Sequence, residues 1–437
     1  MAFFFVAESS AQSLFTLGDY YNDSSKMTMG ILAEYDVNST AFTNELYYKA
    51  LNGSFIETET KDRVNKRLSE FNKAGLDLNY GMFFSQRIDS LFGKERKGFH
   101  YFIKIANREH ANMVFTEDLF KVAMYGNAQF AGDTAKMGSS EFNLLRYQQI
   151  EVGIINSFKG SGKYGIGLSF IKGEQFYNSL ISRANLYTSQ SGDHVDLDLK
   201  YSITQSDTSY HGYDAMHGWG MSVDLFYQMS YNIFQSVTVD EDPSHPSASS
   251  GSGSGQENET DWTGYLRIEV SDLGFIRWND KTVQEKIDTM YQFDGLEIQN
   301  ILQLSDSIFD PIVDSLKQIY QPKYSQKAYT TVLPTLFHLS VYQENSSGFY
   351  ISLGTVFRIF ANYSPFIYLK AGHTLKEKFR LGGSLEFGGY GKINLGFQAQ
   401  ADVGGFKIGL GTHSLDGFIF PKRTGRNSVY LSVAKRF

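Results

Sequence analysis

The chain has 437 residues, a net charge of −7 and a pI near 5.8, a balance that implies no basic face and excludes nucleic acid as the main partner. It has no cysteine, which excludes a disulfide-stapled fold, and its 42% hydrophobic content is too low for a helical membrane protein. Aromatics stand out, with 36 Phe and 28 Tyr against 3 Trp; together with 41 Gly and only 7 Pro they suit many strands joined by tight turns.

The chain opens "MAFFFVAESSAQSLF", an apolar run followed by Ser9, Ser10 and Ala11, a small-residue cleavage pattern. Residues 1–11 read as the remnant of a signal peptide, with an ordinary apolar strand as the alternative. No Cys follows, so a lipoprotein anchor is not expected. A short helix is suggested by Val64, Leu68 and Phe71, closed by Gly75. Strict alternation then recurs. Leu76, Leu78, Tyr80, Met82 and Phe84 form a row interrupted by Phe83, and Phe99, Tyr101, Ile103 and Ile105 alternate with His100, Phe102 and Lys104. Ile150, Val152 and Ile154 lead through a turn into Tyr164, Ile166, Leu168 and Phe170, and Val195 to Ile203 alternate with Asp196, Asp198, Lys200 and Ser202. This period of two identifies strands with one apolar and one polar face.

Two stretches break the pattern. Residues 239–260 are acidic and then Ser/Gly-rich, as in a flexible loop. A helical insert is expected within 280–325, where Asp310 can cap, Pro311 suits a first turn, and Ile312, Val313, Leu316 and Ile319 form a stripe. These four are the candidate plug or docking face. Beyond it the alternation is clearest: rows through Phe349–Ile359, Phe379–Phe387, Ile393–Ala401 and Phe406–Leu410 carry Arg358, Arg380, Glu386, Gln398 and Gln400 on their reverse faces.

Alternation alone does not say which face is inside. A soluble sandwich buries the apolar face, whereas a membrane barrel turns it to lipid and lines its lumen with the polar face. Three features favour the barrel. Many rows are nine to eleven residues long, as a tilted spanning strand requires. The polar rows are rich in Gly, Ser, Asn and Gln, and tight turns alternate with longer loops. The expected fold is all-β, an antiparallel transmembrane barrel of about 14 (14–16) strands with a small helical insert, forming a single domain over residues 12–437. Its lumen would be lined by Asp196, Asp198, Lys200, Arg358, Arg380, Glu386, Gln398 and Gln400.

The chain ends "GRNSVYLSVAKRF", with Val429, Leu431, Val433 and Phe437 on one face. Terminal residues usually fray, so a closing strand that pairs with the first is expected. This row resembles the C-terminal assembly signal of outer-membrane barrels, with Lys435 departing from the usual apolar residue. Through "AQSLFTLGDY", "VSDLGFIRWND", the helical insert and "YTTVLPTLFHLSVY" the chain resembles Bacteroidota outer-membrane barrels of an uncharacterised family. That group is distantly similar to fatty-acid-transporter barrels and to the shuttle barrel of the type IX secretion system. The resemblance implies about fourteen strands, the outer membrane of a Gram-negative bacterium, lipid as the main partner and possible contact with other envelope proteins. Asp288-Thr289-Met290, Asp306-Ser307-Ile308 and Asp314-Ser315-Leu316 also resemble the short O-glycosylation sequon of that phylum, and ordinary helix composition explains them equally well.

No catalytic, cofactor or metal site is expected. "GSGKYG" lacks the first Gly of a phosphate loop, which Ser157 replaces, and Tyr164 stands where Ser or Thr belongs. His211 and His217 are six apart and match no metal spacing, and His338 suits a lumen position better than a triad. Two functions stay open: a transport barrel for small or hydrophobic molecules, largely closed at rest, or an accessory subunit of an envelope complex for secretion or outer-membrane biogenesis. A soluble secreted β-protein is the third reading.

Overall fold

The computed structural model describes residues 25–91, 94–158, 162–207, 214–231, 262–294, 323–376 and 378–437. The chain begins with β1 (Met27–Ser39), then α1 (Asn44–Leu51) and α2 (Thr58–Asn65), β2 (Phe71–Leu91) and β3 (Lys94–Thr116). After α3 (Glu117–Tyr125) come β4 (Asp133–Lys136), β5 (Ser140–Phe158), β6 (Gly162–Thr188), β7 (His194–Gln205) and β8 (Gly218–Ser230). Next are β9 (Trp262–Trp278), β10 (Val283–Asp294), β11 (Lys323–Gln326), β12 (Tyr329–Val332) and β13 (Thr335–Asn345). The rest is a meander: β14 (Phe349–Ile359), β15 (Ser364–Leu375), β16 (Phe379–Gly389), β17 (Ile393–Val403), β18 (Phe406–Thr412), α4 (Leu415–Ile419) and β19 (Arg426–Arg436).

Fourteen of these strands close an antiparallel barrel. Its wall runs β1, β2, β3, β5, β6, β8, β9, β13 and on through β19, which returns to pair with β1 from Thr28↔Arg436 to Asn38↔Arg426. The Phe437 N–H donates to Met27 O at 2.9 Å, so the last residue is held by the first strand as the alternation anticipated.

Burial is inverted relative to a soluble protein. Leu353 and Leu395 are 55% and 51% exposed on the outer wall, whereas Glu386 and Lys104 are 1% and 0% exposed inside. A wall of Leu, Ile and Phe facing outward is favourable only against hydrocarbon, so this is a membrane barrel. No described helix is long and apolar enough to cross a membrane.

The two rims differ. At one, tight connections join β14 to β13, β16 to β15 and β18 to β17, and Phe349, Phe379, Phe406 and Phe437 stand exposed around it as an aromatic girdle. Lys435 lies here, its Nζ 4.1 Å from the Phe406 ring centroid and 3.0 Å from Gly404 O. A snorkelling lysine over an interfacial ring explains the departure from an apolar residue. At the other rim, α1, α2 and α3 form a cap around Ala41, Leu46, Val64, Phe115 and Phe120. Thr43 and Thr116 accept from the N–H groups of Leu46 and Leu119, capping α1 and α3.

Several expectations are corrected. The early helix is Thr58–Asn65; Phe71 opens β2 and Gly75 lies inside it, where the Tyr390 ring occupies the space of an absent Cβ. The helical insert does not fill 280–325, because Val283–Asp294 pairs along its whole length with β7 and Lys323–Gln326 pairs with β10. Asp288-Thr289-Met290 is therefore strand. β7 and β10 are not wall strands either. With the far end of β6 (Tyr177–Thr188) they form a flap rising past the capped rim, about 40 Å long at strand rise. Residues 1–11, the loop 239–260, His211, the triplets 306–308 and 314–316, and Ile312, Val313, Leu316 and Ile319 lie outside the described residues. The strand ends flanking the loop, Tyr231 and Trp262, are at the short-turn rim, and Asp294, from which the insert departs, is at the flap tip opposite His194.

Candidate functional site

The lumen is filled by its own side chains, in layers fixed by strand register. Nearest the short turns, Arg380 lies over the rings of Tyr350 and Tyr342, 4.3 and 5.5 Å from their centroids, and pairs with Glu344 at 2.9 Å. Tyr265 stacks on Tyr342 at 5.1 Å and Tyr342 on Tyr350 at 6.0 Å, so that a stack of three rings clamps the guanidinium from one side.

Above the clamp, on the far side of the lumen, is an apolar cluster of Leu32, Phe83, Phe102, Ile155, Phe226 and Tyr430. Phe83 is the residue that interrupts the alternation of β2: it is inside, and its ring fills the space a side chain at Gly30 would take.

Charged groups occupy the middle. Lys104 contacts Glu151 and lies 3.8 Å from Asp224, and Arg108 lies 3.7 Å from Asp272. Gln149 donates to Asp272 at 3.0 Å and to Ser169 at 2.8 Å. Asp272 adopts a φ of 55° where the β8–β9 register slips between Val223 and Leu225, and its N–H donates to Asp224 at 2.7 Å. A non-glycine residue in the left-handed region within a spanning strand is strained, and the carboxylate–amide bond holds it. Pro334, which has no N–H to offer, separates β12 from β13 against the same stretch of β9.

Toward the cap, Arg358 holds both oxygens of Asp77 at 2.8 Å, and His110 contacts the same carboxylate. Arg426 bonds Asp36 at 2.9 and 2.8 Å and Glu386 at 2.7 Å, with His413 3.1 Å from Glu386. Between these pairs is a cavity lined by Asp36, Asn38, Asp77, Arg358, Tyr390 and Arg426 of about 10 Å³ of water-centre space, room for one water. Such enclosed pairs, bidentate at Arg426–Asp36, can hold a lumen shut, because separating one without solvation strands two charges.

Of the lumen residues read from sequence, Arg358, Arg380 and Glu386 are buried inside the barrel. Gln398 faces inward and donates to Tyr350 Oη at 2.7 Å, and Gln400 is half-buried opposite Arg380. Asp196, Asp198 and Lys200 are not brought to this lumen. They lie on the flap, where Asp198 pairs with Arg183 at 2.8 Å and Lys200 with Asp288 at 2.7 Å. Val429 and Leu431 are exposed on the outer face of β19, Val433 is half-buried and Phe437 is at the girdle. His338 is buried, with Tyr368 Oη at 2.9 Å. Sequence reading missed Lys104, Glu151 and Glu269 as lumen charges, although each is a lone charge between two apolar residues of an outward row. No group of His, Asp and Glu suited to a metal is found among the described residues.

Solved structures that match the chain include the TodX deltaS2S3 mutant monoaromatic hydrocarbon channel, at 6% identity and a TM-score of 0.45, covering 96% of this chain and 92% of that one. The Ralstonia pickettii toluene transporter TbuX matches at 8% identity and a TM-score of 0.41, covering 95% and 90%. The translocator domain of autotransporter NalP from Neisseria meningitidis matches at 7% and 0.35, covering 95% and 90%. No curated protein matches the sequence. A family model described as "Family of unknown function (DUF5723)" matches residues 23–413, and the chain belongs to that family.

Proposed function

We propose that this protein is an outer-membrane transport barrel for small hydrophobic molecules, held here in a closed state. The observation that carries the reading is the closed membrane barrel whose lumen holds an apolar cluster, Phe83, Phe102, Ile155 and Phe226, bounded by ion-paired layers. A water-filled porin lumen is polar throughout, whereas an apolar surface inside favours an apolar solute over an ion. The rims support an orientation with short turns in the periplasm and the helical cap outside. The sequence likeness to Bacteroidota barrels adds the host envelope to the proposal. Uptake of a labelled apolar solute by cells with a lipopolysaccharide-rich outer membrane tests it: expression of the protein should accelerate uptake, and unchanged uptake would overturn transport.

The flap favours a second reading, an accessory subunit of an envelope complex, because it projects a paired sheet past the cap. That reading requires a protein that co-purifies with the intact chain and is lost when residues 194–205 and 283–294 are replaced by a short linker.

A further inference from the structure

At the capped rim the wall has a notch. β18 stops pairing with β17 at Phe397↔Thr412 and with β19 at Gly411↔Tyr430, while β17 continues to Ile393 and β19 begins at Arg426. The segment containing α4 fills the notch. The Leu395 N–H donates to Asp416 at 3.2 Å, the His413 N–H to Ser428 at 2.6 Å, and Asn44 donates to the carbonyls of Gly417 and Arg426 at 3.1 and 2.7 Å. With His413, Ser414 and Gly417 buried, Phe418, Ile419 and Phe420 are left 49%, 58% and 53% exposed, next to the lipid-facing residues Leu395 and Val429.

A cationic turn follows at once. The N–H groups of Arg423 and Thr424 donate to Phe420 O at 2.8 and 3.2 Å, and Arg67 bonds Arg423 O. Lys422 and Arg423 are exposed, and no carboxylate among the described residues pairs with either of them or with Arg67. Glu45, whose N–H reaches Pro421 O, is already held by Arg63 at 2.6 Å and Lys49 at 3.8 Å. Arg67 Nε is buried without a hydrogen-bond partner, and burial pushes its guanidinium below the ordinary value.

We propose that Phe418, Ile419 and Phe420 insert into the outer leaflet while Arg67, Lys422 and Arg423 bind the phosphate of an anionic lipid there. One ligand answers both features, since acyl chains continue the apolar belt and a phosphate supplies the missing counter-charge. The site rests on the membrane-barrel orientation above and is independent of transport.

The test is native mass spectrometry of the detergent-solubilised full chain with diphosphorylated lipid A as the probe. Wild type should retain the lipid. The K422Q/R423Q variant should lose at least tenfold in affinity, and K323Q/K327Q, which removes the same charge from the flap, should lose none. The F418S/I419S variant should weaken lipid A while leaving inorganic phosphate unaffected. Equal loss in both charge variants, undiminished binding in K422Q/R423Q, or displacement of lipid A by equimolar inorganic phosphate would overturn the site. Heat-modifiable migration confirms a folded barrel in each variant, and the single change R67Q provides the same reading should the double variant fail to fold. Failure of solute uptake would leave this binding intact, so the two proposals fail separately.

Discussion

Arg358 and Asp77 are 281 positions apart and meet inside the lumen with both carboxylate oxygens engaged. Replacing one partner leaves the other charge buried. Arg358→Met should therefore destabilise the folded barrel by about 3–5 kcal/mol, read from urea unfolding in lipid vesicles. The double change D77N/R358M should recover much of that loss, because it removes the charge left behind. Equal loss in the single and double variants would show that packing around Tyr363 and Tyr390, and not charge, sets the stability. The Arg380 clamp makes a related case: Arg380→Ala removes the cation held against Tyr342 and Tyr350 and should raise ion conductance by loosening the short-turn end.

Individual strands can be tested by the side that each residue faces. Phe397 is exposed on the outer wall of β17 and Gln398 faces inward on the same strand. Phe397→Arg, on the exposed outer face near the middle of β17, should cost about 2–4 kcal/mol, as expected at a lipid-facing midplane site, whereas Gln398→Arg should cost clearly less. The measurement is the fraction of heat-modifiable protein after refolding into vesicles, and equal tolerance at both positions would contradict lipid exposure. On β19, deletion of Phe437 removes the Phe437 N–H to Met27 O bond and one girdle ring. If Val429, Leu431, Val433 and Phe437 act as an assembly signal, that deletion should lower the yield of inserted barrel in cells more than it lowers refolding in vitro.

For the whole molecule, the layered lumen predicts poor conduction. In planar bilayers the intact protein should show no large, steady ion current, because ion-paired layers and aromatic rings fill the space between the strands. Removing bulk from the apolar cluster, as in F102A/F226A, should raise conductance or solute entry. A porin-like current through the unmodified protein would overturn the closed-state reading.

Strand faces were legible in the sequence because a period of two is a local property: Val429, Leu431 and Val433 fall on one side of any extended chain. The choice of membrane over water followed from row length, turn asymmetry and the composition of the polar rows. What local pattern could not supply was the identity of each strand's neighbour. β7 alternates as cleanly as any wall strand, so Asp196, Asp198 and Lys200 read as lumen residues, yet β7 pairs with β6 and β10 in the flap while β6 reaches β8 directly. Residues 283–294 carry their own alternation, which the helical insert expected within 280–325 passed over. Phe83 read as an interruption until the neighbouring β3 and the more distant β8 supplied Phe102 and Phe226 inside the lumen. Periodicity thus determined which side of a strand each residue occupies, while closure of the sheet, fixed by hydrogen bonds between distant strands, decided which charges meet across the lumen and shut it.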